Sequence, residues 1–384
     1  MIMRKNLENK EKLNIVHFGH KRIPSREGGV EIVVEELATR QAALGHNVTC
    51  ISRRGHHVSG AEFDGETLEE YKGVKIVTVP TIEKKGLSAA SSSFFATVKS
   101  SFGKYDVVHI HAEGPAAFCW LPKLFGKKVV CHCHGLDWDR PKWRGSFAGK
   151  YIKLGEKMMA KHADDIIVLS ESVKKYFKDK YNRDTLFIPN GVSKTEIKAA
   201  DLIKEKWGLD RGSYFLTLSR LTEEKNIHLL IQAFKNISTN KKLVIAGGNS
   251  DSTDYIERLH ELVANDERII FTGFVQGQLL EELYSNAYVY CLPSELEGMP
   301  LSLLEAMSYG NCCLTSDIPE CTDVTQDKGI SFIKNDLQDL QMKLQTLSEN
   351  PELVKKYKSV VTEYICERFS WDEIINKIIE TYRE

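Results

Sequence analysis

The sequence predicts an α/β protein made of two Rossmann-like domains, each with a parallel sheet. Apolar runs of strand length alternate with helical patterns from residue 13 onward, and the same alternation starts again near residue 214. The chain has 384 residues, which is more than a single typical core accommodates. Strand–helix–strand units of this length place their strands in parallel, so the two runs predict two parallel-sheet domains.

Composition predicts a globular protein of a reducing compartment. Hydrophobic residues make up 42% of the chain and charged residues 27%, as in ordinary globular domains. No apolar run approaches the ~20 residues that span a bilayer, and the charged first 13 residues lack the apolar core of a signal peptide. The nine cysteines include no Cys-x-x-Cys pair, which argues against a disulfide framework and favours a cytoplasmic location.

Charge is distributed unevenly between the two halves. Residues 1–190 carry 31 Lys and Arg against 22 Asp and Glu, a net +9, whereas residues 191–384 carry 21 against 31, a net −10. A basic first half suits an anionic partner such as a membrane surface or a phosphate-bearing acceptor. Chance imbalance between two domains is the alternative. The basic residues form no dense patch, which argues against nucleic acid as a partner.

The alternation begins with a strand at residues 13–18, a polar loop, a helix and a second strand at 45–51. Apolar residues at helical spacing, such as Val33 and Leu37, predict the helix. Gly28 and Gly29 lie at its start, where backbone amides can approach a phosphate or another ligand closely. A plain turn explains the two glycines equally well.

Three further strands are predicted at residues 74–80, 106–111 and 128–135, and a Ser/Ala-rich segment at 88–101 is either a helix or a mobile loop. Cys131, His132, Cys133 and His134 together raise the question of a zinc site. Successive side chains of a strand point to opposite faces, so the cysteines and histidines cannot share one ion, and no metal site is predicted. His134 ends its strand, where parallel sheets bind ligands; a rim histidine without a ligand is the alternative.

The loop after His134 mixes aromatic and basic side chains. Tryptophans beside cations suit stacking on a sugar or binding of a phosphate at a membrane interface. We therefore predict that this loop contacts a sugar or a phosphate, through Trp138, Arg140, Lys142, Trp143 and Arg144. A strand at 163–170 and a helix at 171–180 follow, with Ser170 as the helix N-cap.

Strands in the second half are predicted at residues 214–219, 242–246, 269–275 and 312–317, and a helix at 227–234. The loop after the first of these strands carries Arg220 and Lys225. Cations in a strand-to-helix loop suit a diphosphate, because Arg binds its oxygens bidentately and Lys acts as a point charge. Two solvated loop cations are the alternative. Phe274 and Val275 offer a bound ligand backbone hydrogen bonds and an apolar wall. Packing in the core explains these two residues equally well.

The stretch at residues 287–310 reads as a buried strand, a loop and a helix. Pro300 suits the first helical position, where its missing N–H costs nothing. Unpaired amides at the helix start, together with the helix dipole, favour an anion. Glu297 and Glu305 flank this position and would accept hydrogen bonds from hydroxyls, Glu297 from a sugar and Glu305 from a ribose. Surface carboxylates without a ligand are the alternative.

This stretch resembles the signature of a known family. Ser294, Glu297, Gly298 and Glu305 are spaced as in the Glu-x7-Glu motif of family 4 retaining glycosyltransferases, which have the GT-B fold. The resemblance implies two Rossmann-like domains that face a cleft. It implies an acceptor-binding domain at residues 1–190, a nucleotide-sugar-binding domain at 191–365, and a C-terminal helix at 366–384 that packs back on the first domain.

The resemblance also assigns roles to individual residues. His134 would lie against the donor sugar, Arg220 and Lys225 would hold the donor diphosphate, and Glu297 would orient the sugar. The loop that follows the first strand would contribute Gly28 and Gly29. Further donor contacts would come from Phe274, Val275, Gly298, Met299, Leu301 and Glu305.

The resulting expectation is transfer of a sugar from a nucleotide diphosphate sugar to an acceptor hydroxyl, with retention and without a metal or other cofactor. The loop around Trp138 and Trp143 resembles that of bacterial surface-polysaccharide enzymes, including rhamnosyltransferase-like ones, and the resemblance implies that Trp138, Arg140, Lys142, Trp143 and Arg144 bind the acceptor. A lipid-linked glycan is therefore the expected acceptor. The protein is expected to be cytoplasmic and to make peripheral contact with the inner face of an anionic membrane. A nucleotide-sugar 2-epimerase-like isomerase and a non-catalytic partner subunit of the same fold are the alternatives.

Overall fold

A computed structural model of the chain describes every residue except 1–6, 9, 58, 61–63, 65–67, 85 and 249–252. The chain divides into two compact units. The first comprises Met1–Asn190 and Trp371–Glu384, and the second comprises Gly191–Ser370.

The first unit is built on a sheet whose strands are β1 (Asn14–Phe18), β2 (Asn47–Arg53), β3 (Glu70–Tyr71), β4 (Val74–Val79), β5 (Val107–His111), β6 (Lys128–Cys133), β7 (Asp165–Val168) and β8 (Leu186–Phe187). Over the described residues the order is β3-β4-β2-β1-β5-β6-β7-β8. Among the strands that the structure describes, only the short β3, which the sequence did not predict, pairs antiparallel. The order reverses between β1 and β5, so the loops after these strands lie side by side.

Helices of the first unit are α1 (Gly29–Ala43), α2 (Ser88–Phe102), α3 (Trp120–Leu124), α4 (Phe147–His162) and α5 (Glu171–Tyr181). The Ser/Ala-rich segment is thus a helix rather than a mobile loop. The Ser170 hydroxyl accepts a hydrogen bond from the Val173 amide at 3.3 Å and caps α5, as the sequence predicts. Apolar side chains of β1, β5, β6 and β7 pack with α4 and α5 in one core.

The second unit has a parallel sheet of β9 (Tyr214–Leu218), β10 (Lys242–Ala246), β11 (Ile269–Gly273), β12 (Val289–Leu292), β13 (Cys312–Ser316) and β14 (Ile330–Phe332). Its order in the described part of the chain is β11-β10-β9-β12-β13-β14, which reverses between β9 and β12. The helices are α6 (Leu202–Trp207), α7 (Ile227–Lys235), α8 (Thr253–Val263), α9 (Gln278–Asn286), α10 (Leu301–Ser308), α11 (Pro319–Thr325), α12 (Leu337–Glu349) and α13 (Pro351–Arg368).

The last helix, α14 (Trp371–Arg383), belongs to the first unit. Its buried face includes Ile375, Ile378 and Tyr382, and the Tyr382 hydroxyl accepts a hydrogen bond from Gln41 of α1 at 3.1 Å. The predicted start at residue 366 is too early, because α13 continues to Arg368 and the chain up to Ser370 lies with the second unit.

Within the described residues, no helix has both the length and the apolar character needed to cross a bilayer. All nine cysteines lie in the described part of the chain and are free thiols, as their spacing predicts. Cys131 and Cys133 point into the core beside Cys119.

Candidate functional site

The loops after β9 and β12 meet where the strand order of the second unit reverses. The Glu295 amide donates a hydrogen bond to the Glu224 carbonyl at 2.8 Å, which joins the two loops. Lys225 Nζ lies 2.6 Å from Glu297 Oε1, and the two side chains are only 14% and 8% exposed. The structure therefore brings two of the predicted site residues together as a shielded ion pair at the carboxyl edge of the sheet.

A second hydrogen bond fixes the Glu297 carboxylate. The Ser294 hydroxyl donates to Glu297 Oε1 at 2.6 Å, while the Ser316 hydroxyl donates to the Ser294 carbonyl at 2.5 Å. Because Ser316 ends β13, the loop that carries Glu297 is tied to the neighbouring strand. The carboxylate is thus held by the fold before any ligand arrives.

Glu305 lies in the second turn of α10. The helix begins at Leu301 and Pro300 is its N-cap, so the prediction that Pro300 takes the first helical position is wrong by one residue. The Tyr284 hydroxyl donates to Glu305 Oε2 at 3.2 Å, and the Tyr284 ring stacks on Tyr309 at 5.4 Å.

The buried Tyr290 hydroxyl lies close enough to Glu297 and Glu305 for both carboxylates to affect its pKa. Burial raises the pKa of Tyr290 well above its ordinary value, and the negative charges of Glu297 and Glu305 add smaller contributions in the same direction. The Tyr290 hydroxyl donates to the Leu218 carbonyl, where β9 ends. Glu297, Glu305 and the end of β9 therefore share one neighbourhood.

Arg220 follows β9 on the same loop as Lys225. Its side chain is exposed and bonds no partner that the structure describes, so its guanidinium is available to an anion. The backbone beneath it is tightly packed, because Gly247 at φ +158° approaches Ser219 so closely that an added Cβ would lie 1.8 Å from the Ser219 carbonyl oxygen.

The remaining predicted donor residues of the second unit lie on loops at the same edge of the sheet. Val275 is buried and Phe274 half-buried after β11. Met299 and Leu301 are buried at the start of α10, and Gly298 is half-buried beside them.

Gly28 and Gly29 open α1 in the first unit. Gly28 is the N-cap residue, and as a glycine it has no side chain that could accept hydrogen bonds from the first amides of the helix. Carboxylates lie close by, because Glu31 accepts a hydrogen bond from the Lys21 amide at 2.9 Å and a Cβ on Gly28 would lie 2.8 Å from Glu31 Oε2. Buried Glu27 pairs with Lys21 and Arg22. These two carboxylates offset the positive end of the helix dipole, which weakens any attraction for a phosphate there.

His134 belongs to a cluster of histidines that the sequence analysis did not identify. In the parallel register, His17 of β1 lies opposite His109 of β5, and His111 of β5 lies opposite His132 of β6. Because strand side chains alternate, all of these rings project from one face of the sheet while Cys131 and Cys133 project from the other. Histidines at alternate positions on two successive strands were the available signal.

Hydrogen bonds connect these rings in a row. His111 Nδ1 lies 3.0 Å from His134 Nε2, and His111 Nε2 lies 3.1 Å from His17 Nδ1. Burial lowers the pKa of His134 and that of His17 to about 4, and it lowers the pKa of His111 well below its ordinary value. The rings are therefore neutral at neutral pH.

Two triads of this cluster have nitrogens close enough to hold a metal ion: His17, His109 and His111, and also His111, His132 and His134. Each triad contains a pair stacked face to face. The His109 and His111 planes differ by 13° and the His132 and His134 planes by 15°. A ring nitrogen binds a metal in the ring plane, so these lone pairs run side by side and do not converge. The arrangement suits hydrogen bonding better than metal binding.

Glu113, just beyond β5, is a second residue that the sequence analysis missed. Its buried carboxyl accepts a hydrogen bond from the Asp137 amide at 3.1 Å. Burial and the nearby Asp137 raise the pKa of Glu113 well above its ordinary value. Its backbone carbonyl also touches α4, since a Cβ on Gly155 would lie 1.8 Å away. Glu113 thereby holds the loop after His134 against α4.

The predicted acceptor loop is anchored at Trp138. The indole N–H donates to buried Glu156 at 2.6 Å, and the ammonium of Lys153 lies 4.1 Å from the indole ring centre. Glu156 also accepts from Tyr176 at 2.8 Å and from Lys180 at 2.9 Å. Trp138 therefore has a structural role that its position in the sequence did not indicate.

The other predicted acceptor residues interact within the loop. Arg140 pairs with Asp137 at 2.8 Å and Arg144 with Asp139 at 3.1 Å. The Lys142 ammonium lies 4.7 Å from the ring centre of Trp143. The positive charge of this loop is thus partly balanced by its own aspartates.

Two family models match the chain. The model described as Glycosyltransferase Family 4 matches residues 27–196, and the model described as Glycosyl transferases group 1 matches residues 200–364. The two matches follow one another and meet close to the boundary between the two units.

Individual proteins are similar over long stretches. An uncharacterized glycosyltransferase of Methanocaldococcus jannaschii is 24% identical over 387 residues, which cover 94% of this chain and 95% of that protein. The O-antigen chain mannosyltransferase RfbU of Salmonella typhimurium is 27% identical over 260 residues, or 64% of this chain and 71% of that protein. The structure of HepE from Anabaena in complex with UDP-glucose has the same fold, with a TM-score of 0.76 and 17% identity over 96% of this chain and 99% of that one.

Proposed function

We propose that this chain, which belongs to glycosyltransferase family 4 and is a transferase with the GT-B fold, transfers a sugar to an acceptor hydroxyl. The sugar would come from a nucleotide diphosphate sugar. The anomeric configuration would be retained. A nucleotide-sugar donor is supported by HepE, which has the same fold and was solved with UDP-glucose.

The observation that carries this proposal is the Lys225–Glu297 pair. A cation and a carboxylate held 2.6 Å apart at the switch point of a parallel sheet match the two sides of a nucleotide sugar, which presents phosphate oxygens next to sugar hydroxyls. Lys225 would contact the diphosphate and Glu297 a sugar hydroxyl. Arg220, whose guanidinium is exposed on the same loop, would bind the diphosphate bidentately.

Catalysis would rest on stabilising the leaving group. When the bond between the anomeric carbon and the phosphate oxygen breaks, negative charge grows on the departing diphosphate. Arg220, Lys225 and the backbone amides near Gly298–Leu301 would stabilise that charge, and removal of one such preorganised donor costs on the order of 10²–10³ in rate. The leaving phosphate would accept the proton of the attacking acceptor hydroxyl, so that no protein carboxylate acts as a nucleophile.

The remaining roles follow from position. Glu305 would accept hydrogen bonds from the ribose, and Phe274 and Val275 would border the base. His134 is proposed to contact the donor sugar from the first unit, where Gly28 and Gly29 would also approach the substrates. We propose that no metal is required, because Arg220 and Lys225 supply the positive charge that a divalent ion brings elsewhere.

The acceptor is proposed to be a lipid-linked glycan of a bacterial polysaccharide, as the O-antigen activity named for RfbU suggests. It would bind the first unit through the loop that carries Trp138, Arg140, Lys142, Trp143 and Arg144. A recess at the carboxyl ends of β1, β2 and β4 offers a further position, with a volume of about 290 Å³ including its mouth. Buried His20 and Arg53 of β2 line it, opposite Ser92 and Ser93 of α2.

Peripheral membrane contact is proposed through α4. Phe147 is 88% exposed and Leu154 is 49% exposed, and the exposed Lys150 and Lys157 share their helical face at spacings of three and four residues. Apolar and basic side chains on one face suit the surface of an anionic bilayer.

Product analysis tests the reaction class. The protein would be incubated with an α-configured nucleotide sugar, and the first sugar released would be followed by proton NMR. The proposal predicts an α-configured product, with water in place of the acceptor. A β-configured first product would contradict retention, and conversion of the sugar to its C2 epimer would favour an isomerase.

A further inference from the structure

A continuous row of hydrogen bonds leads from His134 to the C-terminal helix. His134 Nε2 lies 3.0 Å from His111 Nδ1, and His111 Nε2 lies 3.1 Å from His17 Nδ1. His17 Nε2 then lies 2.8 Å from the Gln41 side-chain oxygen. The row continues from the Gln41 amide nitrogen to the Tyr382 hydroxyl at 3.1 Å, and from that hydroxyl to His109 Nδ1 at 2.5 Å.

Each ring in this row has one proton and one lone pair. Because His17, His109 and His111 are fully buried and His134 has a lowered pKa, all four rings are neutral near pH 7. A neutral imidazole donates from one nitrogen and accepts at the other. The proton positions are therefore coupled, since the direction of one hydrogen bond sets the direction of the next.

Gln41 sets that direction. Imidazole-to-imidazole bonds run equally well either way, whereas an amide has an oxygen that only accepts and a nitrogen that only donates. The amide oxygen faces His17, so His17 carries its proton on Nε2. His111 must then donate from Nε2 to His17, and His134 must donate from Nε2 to His111.

Tyr382 continues the row in the same direction. Its hydroxyl accepts from the Gln41 nitrogen and donates to His109 Nδ1. With the amide turned over, the hydroxyl would have to donate to Gln41 and every ring would exchange its tautomer.

We propose that Gln41 and Tyr382 are positioning residues that hold His134 in the tautomer with its proton on Nε2. His134 Nδ1 then presents a lone pair, which accepts a hydrogen bond from a donor-sugar hydroxyl. The opposite tautomer would donate at Nδ1. The assignment of the tautomer depends only on the geometry of the first unit, whereas its effect on catalysis rests on the proposed function.

Nitrogen NMR of histidine side chains tests the tautomer directly. The full-length protein would be labelled with ¹⁵N-histidine, and long-range proton–nitrogen correlations recorded at pH 7. A His134→Gln variant identifies the His134 signals by their loss. The proposal predicts a protonated Nε2 and an unprotonated Nδ1 for His134. A proton on Nδ1, or an equal mixture of both forms, would overturn it.

Variants along the row test its direction. Gln41→Leu removes the amide, so the His134 signals should shift towards a mixture of tautomers. Tyr382→Phe removes only a hydroxyl and leaves the His17–Gln41 bond, so a smaller shift in the same direction is expected and covers the case in which Gln41→Leu fails to fold. Gln345→Leu makes the same change at a half-buried position of the second unit and should leave His134 unchanged. Unchanged His134 signals in folded Gln41→Leu and Tyr382→Phe would overturn the proposal.

Kinetics separate this inference from the proposed function. Loss of the tautomer in Gln41→Leu should lower kcat for nucleotide release about tenfold and change KM for the donor less, because the nucleotide contacts lie in the second unit. If His134 has the Nε2 tautomer but the protein releases no nucleotide, the hydrogen-bonded row is supported and the proposed sugar transfer is contradicted. Full kcat in a variant with mixed tautomers would refute the catalytic part of the inference.

Discussion

Lys225 is the residue on which the account of the second unit depends. Its ammonium pairs with Glu297 in a position that is almost closed to solvent, so the pair stays formed where a surface pair would exchange with water. The Ser294 hydroxyl gives Glu297 a second partner. A cation held next to a fixed carboxylate is preorganised for a ligand that carries both phosphate and hydroxyl groups.

Lys225→Ala should abolish most donor turnover. Loss of one preorganised cation lowers the rate of nucleotide release by on the order of 10²–10³, and the Glu297 carboxylate left with one partner costs about 1–3 kcal/mol of unfolding free energy. Steady-state kinetics and urea unfolding measure the two effects. Lys328→Ala, which removes a lysine paired with an exposed Asp327, is the control. A Lys225→Ala rate within a few-fold of wild type would show that Lys225 does not bind the diphosphate.

The buried histidines predict an acid-sensitive first unit. Burial lowers the pKa of His17 and His134 to about 4 and that of His20 to about 3, from 6.5 in the unfolded chain. Between these values the unfolded chain binds protons that the native state does not, so the free energy of unfolding falls as the pH drops from 6.5 towards 4. Each group contributes at most about 1.4 kcal/mol per pH unit.

Urea unfolding followed by tryptophan fluorescence between pH 7.5 and 5 checks this slope. His132→Leu removes one buried ring whose nitrogens have no hydrogen-bond partner among the described residues, so its stability should depend less on pH than that of wild type. A wild-type midpoint that stays constant over this range would contradict the neutral, buried state of the cluster.

At this scale the sequence was sufficient to place Lys225 and Glu297 near each other, because each lies in a loop that follows a strand and these loops meet by topology alone. It was not sufficient for the histidine row. His17, His111 and Gln41 become neighbours only through the register of β1 with β5 and the docking of α1, and neither can be read from one sequence. Tyr382 is more distant still, since α14 returns from the far end of the chain.

Among the elements, the ends of β9 and β10 approach each other closely in the second-unit site. Gly247 is at φ +158°, and its neighbour Ser219 leads directly into Arg220. A side chain at residue 247 would push this loop away from β10. The position of Arg220 is therefore set by a glycine that directly follows another strand.

Gly247→Ala should weaken nucleotide binding. The added methyl would lie 1.8 Å from the Ser219 carbonyl oxygen, so the loop must shift, and a displacement of about 1 Å at a substrate-positioning loop costs on the order of 10² in rate. Gly212→Ala has a positive φ as well but meets no atom within 4 Å, so it controls for backbone strain. Calorimetric titration with nucleotide measures the loss of affinity and steady-state nucleotide release measures the loss of rate. Equal affinities and equal rates in both variants would exclude the steric effect.

The strands were largely predictable, because their apolar runs have the length of strands and most of them are buried on both faces. Boundaries were less so. Pro300 was placed one residue inside α10, since nothing in the sequence separates an N-cap proline from a first-turn proline. The start of α14 was missed because α13 and α14 are separated only by Phe369 and Ser370.

For the whole molecule, the uneven charge is the property that sequence alone defines. The first 190 residues carry a net +9 and the rest a net −10. The exposed apolar and basic face of α4 lies in the positive half. The two-domain fold was predictable because the alternation restarts, whereas the acceptor depends on surface loops that a pattern does not specify.

Anionic liposomes test the proposed membrane contact. Each lysine near such a surface contributes about 1 kcal/mol, so reversing Lys150 and Lys157 to Glu should weaken binding at least tenfold. The same reversal at the exposed Lys355 and Lys356 of α13 should have little effect. Sedimentation with phosphatidylserine-containing vesicles measures this, and absence of binding by the wild type would refute the contact.

The most direct test of the central claim is release of nucleotide diphosphate from a panel of UDP-, GDP- and dTDP-sugars in the presence of EDTA. Wild type would be run beside Lys225→Ala and Glu305→Ala. The account predicts slow release from one donor class, unaffected by EDTA and lost in both variants. Release that requires a divalent ion, or that persists in both variants, would contradict it.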